Sequence, residues 1–323
     1  MIYLNDGHIR QLGIDWVLLE ERIFATLRKL GTPEIVQPLK PYLRFGQPRN
    51  RIIAMPAFVG GNEEICGIKW IASFPDNVRR GLSRAHGTIV LNDPTTGVPI
   101  AIFSGGLLNQ LRTAAVSAVM LRRYFALQRR SKYRIGIMGW GPIGRRHLDM
   151  VFALFGDSIA SVKLFDIKGI DSKSANVTSH PIRPKISSSW RELYRESDIV
   201  FTCTSSAERY IDEPPVPGAL LMNVSLREYL PDSIGEGTAI VVDNWQEVCR
   251  ENTDIELLHV QAGLQEKNTI SLRGAVHEEG LNGLAPSVPI FFNPMGMAAF
   301  DIAIAAFYRH KAERLGVGIR LEG

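Results

Sequence analysis

The sequence predicts an α/β protein, with a central doubly wound parallel (Rossmann) sheet preceded by an α+β region. Three observations carry this. From Tyr133 onward, continuous apolar runs alternate with helical segments, the pattern of parallel strands covered on both faces. The first of these runs ends in "GWGPIG", where Gly139, Gly141 and Gly144 have the G-x-G-x-x-G spacing. Before it lie short β-like runs bounded by turn residues, which read as an antiparallel sheet.

Taken in order, residues 15 to 30 have helical spacing, with Val17, Leu18, Ile23, Phe24 and Leu27 on or near one face. The runs "RIIAMPAF", "ICGIKWIASF", "GTIVLND" and "VPIAIFSG" follow, the last two joined by "PTTG" as a hairpin. Residues 112 to 127 form an apolar, alanine-rich helix, and the polar break "QRRSK" marks a boundary. Then "RIGIMG" reads as a strand, Pro142 to about Phe155 as a helix, and "SVKLFD" as a strand before a looser segment. "WRELYRES" precedes "DIVFTCT", and "GALLMNVS" and "AIVVDNW" are further apolar runs. "FFNPMGMAAFDIAIAAFYRHKAERL" reads as one long helix after a Pro-Met-Gly turn, apolar enough to require burial against the first unit or another subunit.

Composition narrows the function. A chain of 323 residues is long enough for two cores. No apolar run of about 18 residues and no charged-then-apolar leader is present, so neither a membrane span nor a signal peptide is expected. Cys66, Cys203 and Cys249 lack any CxxC spacing and read as free thiols filling cores in a reducing cytoplasm. The net charge of +4 is scattered apart from pairs such as Arg122-Arg123 and Arg129-Arg130, which favours an anionic small molecule over nucleic acid. No metal-ligand spacing and no Ser-His-Asp arrangement is visible, so neither a metal nor a covalent nucleophile is expected.

At the glycine turn, the first glycine permits the tight bend and the second lets the backbone approach a pyrophosphate. The third lets helix and strand pack closely. Pro142 suits a first helical position, where its missing N–H is no loss, and the free N–H groups there bind phosphate. Asp166 closes the next apolar run, where a carboxylate accepts hydrogen bonds from ribose hydroxyls. Ile167, rather than an arginine, follows it, which favours NAD over NADP, while the Lys168 charge one residue on pulls the other way. Thr202, Thr204 and Ser225 end later strands where sheet topology places ligands, although polar loop capping explains any one of them equally well. Thr113, Ile143, Met295 and Gly296 complete the candidate cofactor set.

The first region supplies cations. Lys69 interrupts the apolar run "GIKWIAS", and Arg112 opens the apolar helix. A charge among such neighbours is costly to bury without a partner. Arg84 in "SRAHG", and Lys40 and Arg44 in "QPLKPYLR", join them as a candidate pocket for several carboxylates. For each of these three, a surface charge or local ion pair is the competing account. His86 and His147 lie near the candidate residues in sequence, and packing or solvation is the plainer role for both.

"RIIAMPAFVGG", "GIKW", "GTIVLNDPTTGVPIAIF", "LRTAAVSAV", "GWGPIG" and "NPMGMAAFD" resemble the ornithine cyclodeaminase/mu-crystallin family over nearly the whole chain. The resemblance implies a homodimer whose N-terminal region and C-terminal helix, 1–118 with 295–323, form the substrate and dimerisation domain, and a central domain, 119–294, that holds NAD. It assigns Lys69 and Arg112 to the substrate carboxylate. The blocks "QPLKPYLR", "SDIVFTCT", "NVSL" and "IVVDNW" point within the family to dehydrogenases of a glutamate conjugate, whose diamino product serves siderophore or antibiotic assembly. By that resemblance Lys40, Arg44 and Arg84 belong to the substrate site. One departure stands out: "NVSLREYLPDS" lacks the glycine pair flanking the cyclodeaminase catalytic aspartate, and Glu228 takes the neighbouring place. Lys69 and Glu228 are therefore the candidate catalytic groups. For Glu228, a helix-start or surface carboxylate remains the competing role.

Overall fold

The computed structural model describes residues 1–323 except 48, 62, 63, 176–179, 278 and 323. The chain divides into two units, Met1–Ala115 with Gly296–Gly323, and Val116–Met295. The division falls inside the helix Leu107–Gln128 rather than at the polar break behind it. That helix begins five residues earlier than the apolar pattern suggests. Its first backbone N–H, that of Leu107, donates to the Asp6 carboxylate at 3.0 Å, a cap supplied from 101 residues away.

The first unit is an eight-stranded sheet. Its backbone is the antiparallel run Arg51–Val59, Ile65–Ser73, Ala85–Asn92 and Pro99–Ser104. The Pro99–Ser104 strand then pairs in parallel with Ile2–Asn5, a strand the sequence did not announce. The predicted hairpin turn is present, with Asp93 accepting from the Thr95 and Thr96 backbone N–H groups and the Thr96 hydroxyl. Helix Trp16–Lys29 starts at Asp15, whose side chain accepts from Leu18 N–H.

Helix Ala298–Leu315 lies on one face of this sheet, against the strands at 51–59, 65–73 and 85–92. Along Ile65–Ser73 the side chains alternate between faces, so Gly67 and Lys69 point toward the helix. A Cβ on Gly67 would stand 2.3 Å from the Val90 carbonyl and 3.2 Å from Ile302. The close approach of helix and sheet explains that glycine.

The second unit is an eight-stranded sheet, parallel throughout. The strand Tyr133–Met138 stands between Ile159–Phe165 and Ile199–Thr202, so the strand order reverses beside it. Ligands of open α/β sheets bind at such a switch point, outside the carboxyl ends of the strands. The last long segment needs a correction. Its opening residues form the strand Ile290–Asn293, inserted between Leu220–Asn223 and Ala239–Val242, and the helix starts only at Ala298. "IFFN" is fully buried and too short to show a period, so it blended into the apolar helix behind it. No helix among the described residues is long and apolar enough to cross a membrane.

Candidate active site

Each unit carries one constellation. In the second, Gly139 has φ +93°, a left-handed conformation that glycine alone adopts cheaply. A Cβ there would stand 2.5 Å from the Cys203 carbonyl, in the loop after Ile199–Thr202. A Cβ on Gly144 would stand 2.1 Å from the Gly139 carbonyl, so helix Pro142–Phe155 rests directly on the turn. Gly141 differs, since a Cβ there meets nothing within 4 Å. The fold itself does not require the second glycine. Open space beside bare N–H groups at a helix start fits a pyrophosphate.

Asp166 stands at the end of its strand, where it accepts from Trp140 N–H at 2.8 Å and Lys168 N–H at 2.9 Å. It thereby ties the glycine turn to the segment where a ribose would lie. Ile167 is 90% exposed, an apolar side chain offered as a flat support beside that carboxylate. Pro142 occupies the first helical position. The Ile143 carbonyl accepts from His147 Nδ1 at 2.8 Å, within the same helix.

His147 is fully buried, and burial pushes its pKa down to about 4. The ring is therefore neutral at pH 7. A carbonyl can only accept, so Nδ1 carries the proton and Nε2 accepts from the Ser117 hydroxyl at 2.9 Å. His147 packs against Phe201 and joins two helices of this unit, which is the packing role.

Among the strand-end loops, Thr202 is fully buried and its hydroxyl donates to Asn223 Oδ1 at 3.0 Å. It supports the loops from below rather than facing solvent. Ser225 receives the Thr204 backbone N–H at 3.1 Å. The Thr204 hydroxyl donates to Glu228 Oε1, and the Arg227 N–H donates to Oε2 at 2.9 Å. Glu228 is 1% exposed and lies outside any helix, so it is neither a surface nor a helix-start carboxylate. Met295 N–H donates to Asp243 Oδ1 at 3.0 Å.

In the first unit, Lys69 donates to Asp301 Oδ1 at 2.8 Å and to Asn109 Oδ1 at 2.6 Å. Arg112 uses the same two acceptors, through Nε to Asp301 at 3.0 Å and through Nη2 to Asn109 at 3.1 Å. Burial lowers the Lys69 pKa to about 8, with the Asp301 carboxylate opposing that shift and the Arg112 and Lys40 charges adding to it. Two cations thus share one carboxylate, which leaves a positive charge unbalanced within the triad. Lys40 is buried as well and donates to the Gly296 carbonyl at 2.8 Å. Gly296 has φ +86°, and a Cβ there would stand 2.5 Å from the Arg112 guanidinium. The absence of a side chain there admits Arg112.

Two expected members, Arg44 and Arg84, are exposed. Arg44 lies over the Tyr42 ring at 5.5 Å, while Arg84 and His86 are exposed at the start of the strand Ala85–Asn92. Thr113 turns its hydroxyl onto the Asn109 carbonyl of its own helix, at 2.6 Å. Conversely, Asp301 and Asn109 escaped the sequence reading. The signal for Asp301 was available: a single acid in "AAFDIAIAAF" needs a partner as much as the lysine in "GIKWIAS" does.

A switch-point glycine turn with a strand-end carboxylate, and a separate sheet bearing buried cations, define a dinucleotide-binding α/β protein with a second, cation-bearing unit. The chain belongs to the ornithine cyclodeaminase/mu-crystallin family, whose model matches residues 15–315. It is 32% identical to N-((2S)-2-amino-2-carboxyethyl)-L-glutamate dehydrogenase of Staphylococcus aureus, over 99% of this chain and 98% of that one. It is 25% identical to Delta(1)-pyrroline-2-carboxylate reductase of Bacillus cereus, over 92% of each chain. The structure of the Thermococcus litoralis Delta(1)-pyrroline-2-carboxylate reductase, in complex with NADH and L-proline, matches with a TM-score of 0.88 at 25% identity. That match covers 99% of this chain and all of that one.

Proposed function

We propose that the protein is an NAD-dependent amino-acid dehydrogenase that oxidatively hydrolyses N-((2S)-2-amino-2-carboxyethyl)-L-glutamate to L-2,3-diaminopropionate and 2-oxoglutarate. The observation that carries the substrate class is the unbalanced positive charge at Lys69 and Arg112, which suits an amino acid with several carboxylates. The 32% identity with the Staphylococcus aureus dehydrogenase supports the particular conjugate.

Bound at the glycine turn, NAD supplies a hydride acceptor for the glutamate Cα. Arg112 and Lys69 hold two substrate carboxylates, one each, and orient the Cα–N bond. Loss of hydride from that carbon and of the proton from nitrogen leaves an imine on the substrate. Glu228 takes a proton from water as its oxygen adds to the imine carbon. Collapse of the carbinolamine, with a proton returned to nitrogen, breaks the C–N bond and frees the two products. Asp166 takes the ribose hydroxyls, which disfavours a 2′-phosphate and makes NAD the cofactor.

The family resemblance implies a homodimer. The open face of the first unit's sheet offers an apolar surface for one, with a groove lined by Val36, Pro38, Pro56, Phe58, Cys66 and Ile68, and Trp70 44% exposed beyond it. The free thiols Cys66, Cys203 and Cys249 suit a reducing cytoplasm.

A second reading is an imino-acid reductase or cyclodeaminase acting on a substrate with one carboxylate. The exposure of Arg44 and Arg84 favours it. The test is purified protein with NAD and the glutamate conjugate. NADH formed together with equimolar 2-oxoglutarate is expected. No NADH from the conjugate, with NADH consumed on a cyclic imino acid or proline and ammonia formed from ornithine, would hand the case to the second reading.

A further inference from the structure

We propose that Asp254 is a positioning residue for the reaction, fixing the backbone from which Glu228 works; this rests on the role of Glu228 put forward above. Asp254 is 2% exposed and begins helix Asp254–Ala262. It grips the tetrapeptide 226–229 three times. Its backbone N–H donates to the Leu226 carbonyl at 2.8 Å, and its Oδ2 accepts from Glu228 N–H at 3.1 Å and Tyr229 N–H at 3.2 Å. The same Oδ2 accepts from Asn223 Nδ2 at 2.9 Å, at the carboxyl end of a central strand. Oδ1 accepts from Arg209 Nε at 2.7 Å, and Arg209 reaches on to the Asn252 carbonyl at 2.8 Å. One carboxylate therefore joins the loops that follow Ile199–Thr202 and Leu220–Asn223.

The backbone at this place is strained. Of the five non-glycine residues at positive φ among the described residues, three are here: Leu226 at 68°, Glu251 at 66° and Asn252 at 56°. Such conformations persist only where the surroundings over-determine them, and they gather at functional sites. Leu226 is also buried, so its side chain cannot relax toward solvent. What the strain secures is the direction of Glu228, whose carboxylate receives the Thr204 hydroxyl and the Arg227 N–H. A glycine in the loop would relieve the strain and leave the carboxylate loosely aimed. Asp254 and its ion pair with Arg209 hold the strained form instead.

The test is a double-mutant cycle between Asp254→Asn and Glu228→Gln, with kcat on the conjugate and NAD affinity read separately. Asp254→Asn is expected to lower kcat about tenfold or more with NAD affinity within about twofold, because the aim of one group has been lost. In the Glu228→Gln background the same change should cost nothing further, since residues acting as a unit are not additive. Equal loss in both backgrounds, or NAD affinity falling in step with kcat, would overturn the inference. Should Asp254→Asn fail to fold, Arg209→Gln removes only the outer partner and must show the same dependence on Glu228. If the wild-type protein makes no NADH from the conjugate, the functional proposal fails and this inference falls with it; additive losses in a protein that does turn over the conjugate overturn the positioning role alone.

Discussion

Lys69 and Asp301 meet at 2.8 Å, a strand lysine and a helix aspartate both withdrawn from solvent. The pair joins the N-terminal sheet to the C-terminal helix within the first unit, across 232 residues of sequence. Breaking a buried pair from one side costs about 3–5 kcal/mol, because the remaining charge has no water to return to. Asp301→Ala, which strands both Lys69 and Arg112, is expected to lose that much in urea unfolding. The combined change Lys69→Met with Asp301→Leu should lose less, while leaving turnover absent. Equal stability of Asp301→Ala and wild type would show that the pair is not held in solution.

The same lysine sets a pH dependence. With its pKa lowered to about 8, Lys69 is a cation at pH 7 and loses its charge as the pH rises through about 8. Its grip on a carboxylate is full below that value and fails above it, so the substrate KM should climb between about pH 7.5 and 9. Lys69→Arg, which stays charged, should remove the climb even if it slows turnover. A KM that stays flat across this range in the wild type would contradict the assignment.

The glycines separate a folding role from a binding role. Gly144→Ala forces a Cβ toward the Gly139 carbonyl and should destabilise the unit, seen as a lowered thermal midpoint. Gly141→Ala meets no protein atom and should unfold within about 2 °C of wild type, yet weaken NAD binding about tenfold or more. Calorimetric titration with NAD decides this, and unchanged affinity in Gly141→Ala would remove the pyrophosphate from that turn.

Acid should weaken the second unit through His147. Its folded pKa of about 4 lies below the unfolded value of about 6.5, so the unfolded chain binds the extra proton first. The contribution is present above about pH 6.5 and is lost as the pH falls toward 4, worth about 3 kcal/mol over the range. His147→Gln should lack this acid sensitivity. Comparing the two proteins by denaturant melts at pH 7 and 4.5 checks the sign.

Much of the second unit was legible in the sequence because its signals are local. The glycine spacing, Pro142 and Asp166 all act within one strand–turn–helix unit, and each stands in the arrangement its residue type demands. The cation site was legible only in half. Lys69 and Arg112 announced themselves by their apolar neighbours, whereas the partner they share lies far along the chain, where distance hides a pairing. Arg44 and Arg84 entered as further cations of the first region and by resemblance, and their exposed positions show that neither charge nor a shared block of sequence fixes where a long side chain goes. Asp254 could not be read at all, since its importance comes from three backbone bonds to a loop 25 to 28 residues away.

The central claim is that an NAD-dependent dehydrogenase uses Lys69 and Arg112 to select a polycarboxylate amino acid. Its most direct test is the ratio of kcat/KM for the glutamate conjugate to that for ornithine, alanine and a cyclic imino acid. One charged hydrogen bond to a carboxylate is worth about 1.5–3 kcal/mol, so the conjugate should be preferred by about tenfold to a hundredfold or more. Arg112→Leu should collapse most of that preference. Equal or better turnover of the one-carboxylate substrates by the wild-type protein would contradict it.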